Sequence, residues 1–153
     1  MSGVFLIVFA KGAVDVLRST SGGHPHVTLF YSGSKLNEVQ LVRLGFEAFT
    51  MARTLVPTIR LEAANVRVNS FFEEKTQKAR HDVLLELSVD DAALVDKIRA
   101  VIDLDRPTRE ALTMREPHVT HSIHYDENEA QRAADDVRLL MPLELGVTGF
   151  TID

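Results

Sequence analysis

No cysteine occurs anywhere in the 153 residues. Disulfides, thiolate chemistry and Cys-ligated zinc are therefore excluded. That absence fits a cytoplasmic protein, and a cytoplasmic location is the expectation. A long hydrophobic run is also lacking. The first apolar stretch, Val4 to Ala10, has no basic residue before it and Lys11 directly after it. It is too short to span a bilayer and has no signal-peptide charge pattern, so it reads as a buried strand, with no membrane association. Positive charge is not in excess, because the formal net charge is −5. Coating of long nucleic acid, which Lys and Arg carry, is thus not expected. A small phosphodiester held by a few local basic groups remains compatible. No linker rich in Gly, Pro or Ser divides the chain, so one compact unit is expected. The length suits a single domain with a proper core, and 45% apolar and 25% charged residues are ordinary for a globular protein.

What the chain does contain is one short pattern used twice. Pro25-His26-Val27-Thr28-Leu29-Phe30-Tyr31 is matched by Pro117-His118-Val119-Thr120-His121-Ser122-Ile123-His124-Tyr125. The two motifs are 92 positions apart, 26 to 118 and 28 to 120. β-Branched and aromatic residues alternating after a proline signal a strand start. In a strand, residues i and i+2 share a face, so each motif offers an imidazole beside a hydroxyl. Two adjacent strands with those faces aligned would bring two imidazoles and two hydroxyls to one point. One imidazole can take a proton from an attacking oxygen and the other can give one to a leaving oxygen. The hydroxyls can hold the non-bridging oxygens of a phosphate as charge develops. This scheme requires no metal and no cofactor.

Around the motifs the spacing predicts strands over Val4–Ala10, His26–Ser32, Thr58–Phe72 with a bend at Ala64-Asn65, Asp82–Val89, Pro117–Tyr125 and Leu143–Ile152. Helices are predicted over Lys35–Leu55, with Ser34 as N-cap, over Ala92 to about Ile102, opened by Asp90-Asp91, and from Asp126 or Asn128 to about Leu140. Val14 to Arg18 reads as a short helical turn. Glu73 to Arg80 reads as a charged loop, and Asp103 to Glu116 as a long loop or one containing a helical turn. The order is a weak internal duplication. It predicts an α+β fold of two lobes, residues 1–72 and 82–153, whose antiparallel-rich sheets face a central groove, with helices outside and exchange of terminal strands allowed.

The paired His-x-Thr motifs, one per half and each on a strand followed by a helix, resemble the 2H phosphoesterase superfamily. That family includes 2′–5′ RNA ligase-like proteins, cyclic nucleotide phosphodiesterases and enzymes trimming RNA 3′ ends. The resemblance covers nearly the whole chain in layout and, in sequence, rests on the two motifs. It implies a bilobal α+β fold, His26 and His118 as the acid/base pair, and Thr28 and Thr120 as phosphate-binding hydroxyls. It also implies a metal-independent phosphodiesterase acting on a small nucleotide or oligonucleotide. The substrate would be a 2′,3′-cyclic phosphate, a 2′–5′ or cyclic oligonucleotide, or an RNA 3′ end. The alternatives are a 2′–5′ ligase activity at an RNA end and a nucleotide-binding module without turnover.

Arg115, by its closeness to His118, is a candidate substrate contact. Tyr31 and Tyr125 are kept beside it because each closes a motif strand, although regular alternation puts both on the face opposite the histidines and favours the core. Lys75, Lys78, Arg80, His81, Arg106 and Arg109 are basic loop residues of which one or two could reach a phosphate. Phe71-Phe72 would be a stacking platform or, more commonly, core. His24 and His124 read as rim residues and His121 as a core or back-face histidine. Strand geometry separates His118 from His121 and His124, so a zinc site is not expected.

Overall fold

The structure is a computed structural model, and it describes residues 3–10, 25–33, 35–102, 104–112 and 114–152. Seven strands form one antiparallel sheet: β1 (Gly3–Ala10), β2 (His26–Tyr31), β3 (Thr58–Leu61), β4 (Val66–Glu73), β5 (Lys78–Glu86), β6 (His118–His124) and β7 (Leu143–Ile152). Their spatial order is β3-β7-β1-β2-β6-β5-β4. The α+β class and antiparallel sheet agree with the sequence expectation. The two halves meet edge to edge, at the two strands that carry the motifs. The late strand β7 lies in the first half-sheet, between β3 and β1, and β4 lies in the second.

Helices α1 (Glu38–Leu55) and α2 (Val89–Val101) are followed by α3 (Arg106–Ala111) and α4 (Glu127–Arg138). Helix α1 starts at Asn37, where a capping box joins Asn37 and Gln40, so the helix begins later than expected and Ser34 falls outside the described residues. Helix α2 is capped by the Ser88 hydroxyl, which accepts from the Asp91 amide, and so starts at Val89 rather than after Asp90-Asp91. Asp126 caps α4. The expected turn at Val14–Arg18 also lies outside the described residues, and α3 is the helical turn expected within 103–116.

The expected charged loop at Glu73–Arg80 is half strand. β4 and β5 form a hairpin running from Val66↔Leu85 to Glu73↔Lys78, leaving only 74–77 as the turn. The run Lys78-Ala79-Arg80-His81-Asp82-Val83 alternates in period 2, but its outward positions are charged, which hid the strand from a hydrophobic reading. The bend at Ala64-Asn65 is a single 3-10 turn, Ala63–Asn65.

One face of the sheet carries the core. Val27, Leu29, Phe30, Val83, Leu85, Val119 and Leu145 are essentially inaccessible and pack with Leu44, Ala48, Ala130, Ala134 and Val137 of α1 and α4. Each buried Val contributes about 1.5–3 kcal/mol of apolar burial. Gly45 lets α1 come close to β7, since a Cβ there would collide with the Phe150 ring. No helix among the described residues is long and apolar enough to cross a membrane.

Candidate active site

The two motif strands meet at a single antiparallel pair, Val27↔Val119. Residues directly opposed on neighbouring strands share a face, and their neighbours share the other. His26 therefore stands across from Thr120, and Thr28 across from His118. The two valines point into the core and are fully buried, while the four polar side chains are half-buried on the opposite face.

On that face a cavity of about 110 Å³ is lined by Thr28, Tyr31, Arg80, Asp82, Arg115, Glu116, His118 and Thr120. The His118 Nδ1 lies 2.9 Å from the Glu116 carbonyl. A carbonyl only accepts, so Nδ1 carries the hydrogen and Nε2 is the atom left to exchange a proton. The Arg115 guanidinium lies over the Tyr31 ring, 5.8 Å from its centre. Glu86 sits across from His118 on the β5 side and is ion-paired with Arg67.

Arg80 is occupied by carboxylates. Its Nε and Nη2 donate to the two oxygens of Asp82 at 2.7 and 3.0 Å, and its Nη1 donates to Glu73 at 2.6 Å. These bonds, Asp82 first, hold it charged. Glu73 also accepts from Thr76 at 2.7 Å and from the Tyr125 hydroxyl at 3.0 Å. The Thr76 bond and then the Arg80 bond lower its pKa to about 2, and the same carboxylate raises that of Tyr125. A wider groove of about 830 Å³, walled by α2, α3 and residues 114–117, adjoins the cavity and shares Arg115 and Glu116 with it.

Among solved structures, the chain is similar to Kluyveromyces marxianus Usb1, at 13% identity and a TM-score of 0.47, covering 99% of this chain and 96% of that one. The structure of the same yeast protein with uridine monophosphate gives 14% identity, a TM-score of 0.46 and the same coverage. No protein-family model matches the chain, and no curated protein does.

Three expectations about faces are overturned, for one physical reason. Val4 pairs with Phe30 but Phe5 with Thr28, so Leu29 is an extra residue in β2. Likewise Leu84 pairs with Thr120 but Val83 with Ser122, so His121 is an extra residue in β6. Each slip comes directly after a His-x-Thr, and each reverses the alternation beyond it. Leu29 and Phe30 are thus both buried, and Tyr31 returns to the histidine face, where it lines the cavity. Tyr125 is not core either. It is 48% exposed and bonded to Glu73. His124, expected at the rim on the His118 face, is turned to the helix side, with its Nε2 2.7 Å from the buried Ser122 hydroxyl.

His121 is half-buried against the same hydroxyl at 3.1 Å, and burial pushes its pKa down. Among the described residues no His, Asp or Glu cluster has metal-holding geometry. His24 lies outside them. Phe71 and Phe72 are exposed rather than core, and Phe71 lies under Arg80, 5.3 Å from its guanidinium. Lys78 lies over the Tyr125 ring.

Three residues were not anticipated from sequence. Asp82 and Glu116 line the cavity. Arg99 of α2, 6% exposed, donates to the backbone carbonyls of Thr28 and Leu29, both at 2.8 Å. The period-2 charge pattern from Lys78 to Asp82 was the signal for Asp82. Arg99 had none, since it reads as an ordinary helix cation.

Proposed function

We propose that this protein is a phosphodiesterase of the two-histidine type, cleaving a small nucleotide-derived phosphodiester at the cavity between β2 and β6. The observation that carries this reading is the Val27↔Val119 pair, because that one register sets His26 against Thr120 and Thr28 against His118 on one face. One imidazole accepts the proton of the attacking water as its oxygen bonds to phosphorus. The other donates a proton to the leaving oxygen as its bond to phosphorus breaks. Thr28 and Thr120 donate to the non-bridging oxygens, where charge builds up. Arg115 supplies positive charge at the rim, since Arg80 is already matched by Asp82 and Glu73. The adjoining groove offers room for the nucleoside part of the substrate.

The test is a turnover screen with a chelator present, using 2′,3′-cyclic mononucleotides, 2′–5′ and cyclic oligonucleotides, and RNA with free 3′ ends. Wild type should cleave at least one class, and His118→Ala should lose that activity. A wild-type protein inert towards every class would defeat the proposal.

A further inference from the structure

Arg99 sits in neither motif, yet it holds the backbone of one of them. Beyond Val27 the strand β2 has no further pairing with β6. On its other side it slips against β1, with Leu29 left over. In a regular strand, successive carbonyls point to opposite edges. Here the carbonyls of Thr28 and Leu29 are both met by one guanidinium, through Nη2 and Nε. Two consecutive carbonyls turned to the same donor are what a one-residue slip produces. A planar fork of N–H groups fits them in a way that an ammonium cannot.

The fork is itself fixed in place. Its third nitrogen, Nη1, donates to Asp96 at 3.1 Å. Arg109 of α3 binds the carbonyls of Arg99 and Ile102, closing the end of α2. Residues following α3 lead into Arg115 and His118. One chain of guanidinium–carbonyl bonds therefore joins the first motif strand to the approach of the second.

We infer that Arg99 is a positioning residue for the proposed cleavage: by fixing the slip after Thr28, it sets where the Thr28 hydroxyl and the Tyr31 ring meet the substrate. This rests on the reading of the cavity as the active site. Without the fork, β2 is free to regularise. The alternation then runs on, and Tyr31 turns towards the core while Thr28 shifts against His118.

The test is a kinetic cycle of wild type, Arg99→Lys, Thr28→Ala and the double variant, on whichever screened phosphodiester wild type cleaves, with folding followed by circular dichroism. Arg99→Lys should fold and lose about 10- to 100-fold in kcat, with a smaller change in KM, as expected for misplacement of a reacting partner. In the Thr28→Ala background the same change should cost less than about 3-fold, because the hydroxyl it positions is gone. Wild-type kcat in Arg99→Lys, or full multiplication of the two losses, would overturn the inference. Failure of both Arg99→Lys and Arg99→Met to fold would also overturn it, since a residue that only places the site is not needed to build the sheet. If wild type cleaves nothing, the reading of the cavity fails by itself. The register of β2 in Arg99→Lys, followed by cross-strand nuclear Overhauser contacts, still decides whether Arg99 holds the slip: a regularised strand supports it, and an unchanged one overturns it.

Discussion

Val27 and Val119 are each other's sole partners across the seam between the two half-sheets, and both are fully buried. Nothing polar need connect the two strands at that pair, because the valines anchor them and leave the flanking residues on the opposite face, where Thr28, His118 and Thr120 line the cavity and His26 stands outside its lining. The strength of that seam sets how firmly the two His-x-Thr motifs are held in register.

The hydroxyls should matter to rate and little to stability. Thr28→Ala and Thr120→Ala should each slow turnover by about 10- to 1000-fold, as loss of an oxyanion donor does. Thr→Ser at either site should keep most of the activity. Steady-state kinetics with thermal unfolding of the same variants checks both halves of this statement.

The pH dependence of the rate should be a bell whose two limbs belong to the histidine pair jointly. One imidazole must begin neutral and the other protonated. Replacing the base should remove the acidic limb, and replacing the acid should remove the basic one. A substrate with an activated leaving group should rescue the acid variant more than the base variant. A flat profile, unchanged in His26→Ala and His118→Ala, would mean that these residues move no proton.

Arg115 should act in binding. Arg115→Ala should raise KM by about 10-fold or more, the worth of one charge-assisted hydrogen bond to phosphate. Tyr31→Ala, which removes the ring beneath the guanidinium, should reproduce part of that effect, and Tyr31→Phe very little of it. Added salt should narrow the gap between wild type and Arg115→Ala.

Stability should fall with acid in two stages. Burial, assisted by the charge of His124, lowers the pKa of His121 from its ordinary 6.5. The unfolded chain then binds a proton that the folded one refuses, so stability declines as pH drops below about 6.5, until the folded value is passed. Glu73 is lowered from 4.5 to about 2, and the stability it supplies above 4.5 is lost as pH falls through that interval. His121→Asn should flatten the first stage and Glu73→Gln the second, in melting temperatures measured across the pH range.

Much of this arrangement was legible in the sequence. Proline followed by period-2 alternation located β2 and β6, and the i, i+2 rule gave each His its Thr. The errors came where one extra backbone residue reverses the alternation. Leu29 and His121 look like any strand residue, and only pairing against β1 and β5 reveals them as surplus. Tyr31, Tyr125 and His124 were misplaced for that reason. The β4–β5 hairpin was half missed because its outward face is charged, and Arg99 because its acceptors are backbone carbonyls some 70 positions away.

The insertion of β7 between β3 and β1 has a temporal meaning. Strands β4, β5 and β6 come from one continuous stretch of chain, so the second half-sheet can assemble as soon as residues up to His124 have left the ribosome. The first half-sheet keeps a gap in its middle until residues 143–152 emerge: β1 can pair with β2 early, but its other edge must wait for β7, more than a hundred positions downstream. Its closure is the high-contact-order step, with the largest entropy of loop closure. Nascent chains arrested before Leu143 should therefore protect the β5 amides from hydrogen exchange while the β1 amides that face β7 remain open.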